Sequence, residues 1–514
     1  MQDEIDNNSL SYRTARGTLI IFIQNLVVGI SASLFFMFIA RFLPTVSDLG
    51  LVNGLQSLIK LAVLVAGLGL YFSASRFASY YLGAGREDLS RGVSMFILKT
   101  GIVSSAILTI VLVIFASQLS TAFFHSQGYS HLIRLASTDV FLVSVVSLSN
   151  YILFSKQGFR IVAIISILNS LVKFPLAFVL LITGMGVNGI FIGMIIADAA
   201  AMAITLFVLI PQIRGGSRFS EIKSLIRYSL PLYASNILSL LSVTIDYYLL
   251  LALSSLNAAG LYSPAVLIGS VLLMTLAALD QSLLPYFSRM YGKSGINSLK
   301  EPSAQISRYI FLIFLPLGFG AMVSAPSLII HIFGERYAES TYPAVILIGV
   351  ITITSMGIVF NNILKSSGHS KIMMTSASFA LTVQLIISVI TIPILGAIGA
   401  ALARSAGYSL MFLIPAYQLR RLAGLHYDKK ALQKGILGSA VMGSIIVVLN
   451  STLYNAYYFP LILLAGFISY LVFLRFTDTM NTRDFEIINN TFSGRLSRPI
   501  ALVQKIVLNR KSVT

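Results

Sequence analysis

The chain has no cysteine among its 514 residues, so neither disulfides nor thiol chemistry contribute to its fold or function. Charge is scarce. Asp, Glu, Lys and Arg make up 11% of the sequence, well below the share usual in a soluble domain. Acids are the rarer sign, 18 against 36 Lys and Arg, for a net charge of +18. There are five histidines, His125, His131, His331, His369 and His426, all in expected loops and without metal-ligand spacing. No glycine-rich phosphate loop and no nucleophile elbow is present. These absences argue against an enzyme, against ATP hydrolysis by the chain itself, and against any cofactor. The first residues, MQDEIDNNSLSYRTARG, are polar and contain acids, so no cleavable signal peptide is expected.

Apolar sequence is what the chain has in quantity: 56% hydrophobic residues and a mean hydropathy of +0.87. Runs of ~20 apolar residues recur, each long enough to cross ~30 Å of hydrocarbon. Only helices satisfy their own backbone in such segments, so the expected class is an all-α polytopic membrane protein. Fourteen spans are expected, near residues 17–42, 48–75, 93–117, 133–155, 159–183, 187–211, 228–253, 258–284, 306–329, 343–366, 371–393, 397–418, 433–452 and 456–474.

Basic residues test that count, because cytoplasmic connections are enriched in Lys and Arg. With the N-terminus inside, the inner segments carry Arg86 and Arg91, Lys156 and Arg160, Arg214 and Arg218, Arg289 and Lys293, Lys365 and Lys371, and Arg420 and Arg421. The outer segments hold Arg41, Arg134 and Arg336. The asymmetry places both termini in the cytoplasm of a cell-membrane protein. It also explains most of the positive charge through topology and anionic lipid, and nucleic acid is not an expected partner.

The chain repeats itself. A shift of 210 residues aligns Gly50 with Gly260, Phe77 with Phe287, Tyr81 with Tyr291, Gly85 with Gly295, Gly158 with Gly368, Gly186 with Gly396 and Gly189 with Gly399. Helices 1–6 (residues 1–215) and 7–12 (216–422) are therefore expected to be two parallel copies of one six-helix lobe. Helices 13–14 (423–477) and a cytoplasmic tail (478–514) fall outside the repeat.

Ionisable residues inside spans are expensive and usually face a cavity or a partner. Here they are Lys60, Asp139, Lys173, Asp198, Asp246, Asp280 and Arg404, with Arg76 near the inner end of helix 2. Helical spacing groups Asn53, Gln56 and Lys60 on one stripe of helix 2. It groups Ser235, Ser239, Ser242 and Asp246 on helix 7, and Asn25, Gly29 and Ser33 on helix 1. Asp139, Lys173 and Asp198 have no polar stripe around them, and interhelical pairing is the preferred reading for those three. Lys60 and Asp246 read as cavity-lining.

Three stretches carry a family resemblance. The stretch TIDYYLLLALSSLNAAGLYSPAVLIG, with Asp246, Gly260 and Tyr262, resembles the helix 7–8 hairpin of the polysaccharide transporter family. That family belongs to the multidrug/oligosaccharidyl-lipid/polysaccharide exporter superfamily. IFGERYAESTYPAVILIGV and NNILKSSGHSKIMM resemble the entry into helix 10 and its exit into helix 11. The resemblance covers roughly residues 15–475. It implies a flippase that carries polyprenyl-diphosphate-linked oligosaccharide across the membrane by alternating access, with a cationic cavity between lobes and a lipid-tail groove at helices 13–14. On this reading Lys60 holds phosphate, and Asn25, Asn53, Gln56, Asn236, Asp246, Arg76 and Arg404 line the substrate path. Asp246, Asp280, Asp198 and Asp139 are the ion-coupling candidates. The expected partners are the lipid-linked glycan, membrane lipids and enzymes of the same pathway, with the chain acting as a monomer. A cation-coupled multidrug or metabolite exporter of the same superfamily is the alternative, using Asp246 and Asp280. A transport-inactive scaffold for glycan assembly enzymes is a third reading.

Overall fold

The computed structural model describes residues 2–424, 428–452, 458–479 and 504. His426, the connection at 453–457 and nearly all of the 478–514 tail lie outside the described residues. So do some side chains within helices, Ser235 among them.

Every regular element among the described residues is helical. The first stretch runs through α1 (Gln2–Phe42), α2 (Val46–Ala66), α3 (Leu70–Ser73), α4 (Ser79–Gly83), α5 (Glu87–Ile114), α6 (Ala116–Phe124) and α7 (Ser130–Ser155). It continues through α8 (Phe159–Leu180), α9 (Gly186–Ile213), α10 (Ile222–Leu253) and α11 (Leu256–Ser294). The remainder is α12 (Lys300–Phe333), α13 (Thr341–Thr354), α14 (Gly357–Ser366), α15 (Ser370–Leu395), α16 (Ala397–Ala423), α17 (Lys429–Thr452) and α18 (Phe459–Phe476). The chain packs as two compact units, Met1–Gly260 and Leu261–Thr514.

Among the described residues, thirteen stretches are long and apolar enough to span a membrane. One of them, Phe159–Ile213, has 55 residues and would be ~80 Å long as a straight helix. It instead folds back on itself at a π-helical turn, Leu181–Met185, where Gly184 has φ 94° and Gly186 φ 57°. Counted on either side of that turn, the described residues offer fourteen membrane-length segments. Antiparallel packing of α8 on α9 needs no side chain at Gly189, whose added Cβ would lie 2.5 Å from the Leu180 carbonyl oxygen. The second unit repeats the device. The chain turns at Gly396 (φ 52°), and a Cβ on Gly399 would lie 2.4 Å from the Thr391 oxygen. The glycines aligned by the 210-residue shift thus play the same physical part in each copy.

Two expected spans are interrupted. Helix 2, read from sequence as one span over 48–75, breaks after Ala66. Leu68 (φ 47°) and Gly69 (φ 72°) take left-handed conformations there, and the chain resumes at α3. Helix 10, read as 343–366, is the pair α13 and α14. Helix 1 also begins well before residue 17, since helical conformation extends back to Gln2.

In the first unit α7 is central, packing against α2, α5, α8 and α9, while α1 lies on α8. Its core includes Tyr71, Tyr81, Ile97, Ile152, Leu209 and Leu225. The second unit centres on Phe287, Phe311, Val359, Ile363 and Leu419, with a satellite cluster of Leu312, Met442, Ile446, Tyr470 and Leu474 joining α12, α17 and α18. Outward faces are apolar: Phe207 and Phe476 are 82% and 80% exposed, an arrangement stable against lipid and not against water.

Candidate functional site

The polar stripe of helix 2 lies beside a tightly packed face. Gly50 abuts α11: a Cβ there would be 2.0 Å from the Leu256 oxygen, and the reciprocal Cβ on Gly260 would be 2.0 Å from the Val46 oxygen. One turn on, Gly54 admits the Leu251 side chain, and the Tyr248 hydroxyl donates to the Ser57 carbonyl at 2.7 Å. That face positions α2 against α10. Asn53 and Gln56, turned away from it, are half-buried, and Lys60 is exposed. The Gln56 amide donates to the Met194 sulfur at 3.9 Å. No described carboxylate lies within ion-pair distance of Lys60.

Seven residues beyond Lys60 the helix breaks, and the break is built rather than frayed. Carbonyls of the last turn before the break receive side-chain donors, in addition to the Gly67 and Leu68 N–H groups that still donate to Val63 and Val65. The Tyr71 hydroxyl donates to the Val63 carbonyl at 2.9 Å, the Tyr233 hydroxyl to Val65 at 3.4 Å, and the Ser104 hydroxyl to Ala66 at 2.6 Å. Below the break a π-helical turn, Ala74–Ala78, carries Arg76. Its guanidinium sits 4.0 Å from the Tyr228 ring centroid and 5.6 Å from that of Phe77. A π-turn re-aims side chains that a regular helix would carry elsewhere.

The other sequence candidates are dispersed. Asn25 is exposed on α1. Asn236 is half-buried and donates to the Leu232 carbonyl of its own helix at 2.8 Å. Asp246 is fully buried, and Arg404 is 3% exposed with its guanidinium 5.6 Å from the Tyr262 ring centroid. Asp246 and Tyr248 are two residues apart on α10, so the aspartate Cα lies on the far side of the helix from the contact with α2.

Each unit holds one buried or half-buried carboxylate in the same way. In the first, Lys173 donates to Asp198 Oδ2 at 2.5 Å and Asn169 to Oδ1 at 2.8 Å. In the second, Lys365 lies 3.2 Å from Asp280 Oδ2, and Asn362 donates to Oδ1 at 2.7 Å. An asparagine and a lysine one turn apart on one helix grip an aspartate on another. The pairing of Lys173 with Asp198 agrees with the interhelical reading of those residues. Asn169 and Asn362 carry no role in the sequence reading, and Lys365 enters it only as a cytoplasmic basic residue, although the i, i+4 and i, i+3 spacings are visible.

On the second unit, α12, α17 and α18 enclose an apolar groove of ≈690 Å³, lined by Pro316, Gly320, Met442, Ile446, Phe467 and Tyr470 among others. The Tyr470 hydroxyl turns inward to the Leu312 carbonyl at 2.8 Å, leaving the ring as wall. Small residues bring the helices together: a Cβ on Gly438 would press the Phe473 and Tyr470 rings, and one on Gly466 the Ile446 side chain. Lys434 donates to the Thr477 carbonyl at 2.6 Å and Arg308 to that of Thr479 at 2.5 Å, tying the end of α18 to α17 and α12. These two basic side chains thus cap the end of α18.

Solved membrane transporters share this backbone. The lipid II flippase MurJ, in an inward closed conformation, matches with a TM-score of 0.68 at 15% identity, over 89% of this chain and 98% of that one. An inward-facing multidrug resistance MATE family transporter of the MOP superfamily matches with 0.59 at 17% identity, over 78% and 95%. A MOP superfamily transporter from Pyrococcus furiosus matches with 0.51 at 16% identity, over 80% and 95%. The protein therefore has the all-α fold of the MOP superfamily transporters. A model of the polysaccharide biosynthesis protein family matches residues 38–342, more than half of the chain, and the chain belongs to that family. No curated protein sequence matches it significantly.

Proposed function

We propose that the protein is a flippase for a polyprenyl-diphosphate-linked oligosaccharide, working by alternating access as a monomer in the cell membrane with both termini cytoplasmic. The observation that carries this reading is the apolar groove of α12, α17 and α18. Two of its three helices lie outside the six-helix repeat, and its walls suit a long hydrocarbon chain. The prenyl tail stays in that groove and the bilayer while the diphosphate and sugars cross. Lys60 supplies a cation that no described carboxylate neutralises, and Asn53 and Gln56 beside it offer amides to phosphate or sugar hydroxyls. Where the cell is negative inside, each exported negative charge gains ~2.3 kcal/mol per 100 mV. The cargo is moved without covalent change.

The competing exporter reading assigns Asp246 and Asp280 to coupling ions. The grip of Lys365 and Asn362 on Asp280 weighs against it, because the protein's own ammonium already meets that charge.

Filling the groove tests the proposal. A Cβ added at Gly320 meets only the Met442 methyl, the flexible end of its chain, at 3.2 Å, so a larger side chain there extends into the groove that Gly320 lines. In proteoliposomes, Gly320→Leu is expected to slow flipping of a long polyprenyl-diphosphate glycan about tenfold and to leave a short-chain analogue unaffected, a difference of about 1.4 kcal/mol between the two. Equal rates for both lipids in wild type and variant would remove the groove from the mechanism.

A further inference from the structure

Two acids and one base meet in the interior of the first unit, and their charges do not balance. Asp139 on α7 is 2% exposed and Asp198 on α9 is 3% exposed. Lys173 on α8 donates to Asp198 Oδ2 at 2.5 Å, and Asn169 occupies Oδ1 at 2.8 Å. Both Asp198 oxygens therefore accept from donors. α7 packs along α9, Asp198 acts on Asp139 both as a charge and as a side-chain hydrogen-bond partner, and among the described residues the Asp139 Oδ1 is buried with no hydrogen-bond partner. Two ionised carboxylates in contact repel, and one ammonium cannot neutralise both. Fully ionised, the cluster would hold a net negative charge among apolar helices, where charge is costly.

The surroundings offer no further compensation. The charged groups that act on Asp139 are Lys173 and Asp198, and those that act on Lys173 are Asp198 and Asp139. Lys60 on α2, Lys99 on α5 and Arg76 on the π-turn belong to elements packed against α7, yet none is among them. On α1, which packs against α8, the described side chains include no ionisable group before Arg41 at its outer end.

We propose that Asp139 and Asp198 form a proton-binding pair that holds one exchangeable proton, charge-balanced by Lys173. The proton sits on the Asp139 carboxyl, which donates to the Asp198 carboxylate; Lys173 stays an ammonium. So loaded, the cluster is neutral and joins α7, α8 and α9. Release of the proton leaves one negative charge and turns the bond between α7 and α9 into a repulsion. Every bond broken and formed is an O–H bond, and the proton goes to water, so no other reactant is needed. The site lies within one unit and is separate from Lys60 and from the apolar groove. It is therefore independent of which cargo is carried.

Infrared difference spectroscopy on the purified protein in lipid nanodiscs, without substrate, reads it directly through the C=O stretch of protonated carboxyl groups. Wild type is expected to show a buried carboxylic-acid band at neutral pH. Asp139→Asn should lose it, since Asp198 then balances Lys173 alone. Asp198→Asn should lose it for the mirror reason, and it carries the comparison if Asp139→Asn does not accumulate. Lys173→Met should roughly double the band, because neither acid retains a counter-charge. Lys173→Met with Asp139→Asn should return it to the wild-type intensity. A band that survives both aspartate substitutions, or that Lys173→Met leaves unchanged, overturns the proposal. Neither result depends on the flippase reading, which the groove experiment tests separately.

Discussion

An ammonium at mid-membrane depth costs roughly 3 kcal/mol on insertion scales, and Lys60 carries that cost without an ion-pair partner among the described carboxylates. Its side chain is exposed at the surface of the packed helices, where the proposed function has a diphosphate meet it. Two outcomes follow from the contrast with Lys173. Lys60→Met keeps the stem and removes the charge, so flipping of a diphosphate-linked glycan in proteoliposomes should fall at least tenfold while membrane abundance stays near wild type. Lys60→Arg should keep much of the rate, less what the planar guanidinium loses in fit. Adding Asp198→Asn to Lys60→Met should restore nothing, because Asp198 is held by Lys173 and Asn169. Recovery of flipping in that double variant would mean that Lys60 balances a buried acid after all.

At the scale of the element, the break in helix 2 is the clearest case of local cost offset by neighbours. A leucine at φ 47° is strained by roughly 1–2 kcal/mol, and Leu68 is also 48% exposed, so its side chain contributes little packing in return. Leu68→Gly is therefore expected to raise the thermal midpoint in detergent. Gly69→Val should lower it, since φ there is 72° and a Cβ would sit 2.8 Å from that of Tyr233. If neither substitution moves the midpoint, the left-handed turn carries no strain. The AGLGL stretch at 66–70 holds a glycine pair that signals a break. Its apolarity, however, reads as continuous helix, and two of the three donors at the break, Ser104 on α5 and Tyr233 on α10, are distant in sequence.

Over the whole molecule, orientation is the prediction to test, and the natural absence of cysteine makes it direct. With both ends inside, Ser220→Cys should react with an impermeant maleimide only after the cells are opened. Gln127→Cys, on the turn between α6 and α7, should react on intact cells. The reverse pattern would invert the topology, and with it the sign of any gain from the membrane potential. The repeat belongs to this scale too. Gly186 and Gly396 share a left-handed turn, and Gly189 and Gly399 each face a carbonyl of the preceding helix, as the 210-residue shift requires of two copies.

Composition and periodicity alone determined that the chain spans a membrane many times, and they located Lys60 and the buried acids. Long apolar runs and the glycines of tight turns act locally, through the hydrocarbon thickness and the sterics of φ, so one strand of sequence records them. The partners were another matter. That Lys173 and Asn169 hold Asp198, that Lys365 and Asn362 hold Asp280, and that Lys60 has no described carboxylate within ion-pair distance depends on which helices lie side by side and how each is rotated about its axis. An intramembrane charge must be met somewhere, but its sequence position does not say by what. The apolar groove was equally unreadable as a feature of this chain, because a wall of Leu, Ile, Met and Phe has the same composition as any lipid-facing surface. Only the packing of α12, α17 and α18, permitted by their glycines, turns that composition into a cavity.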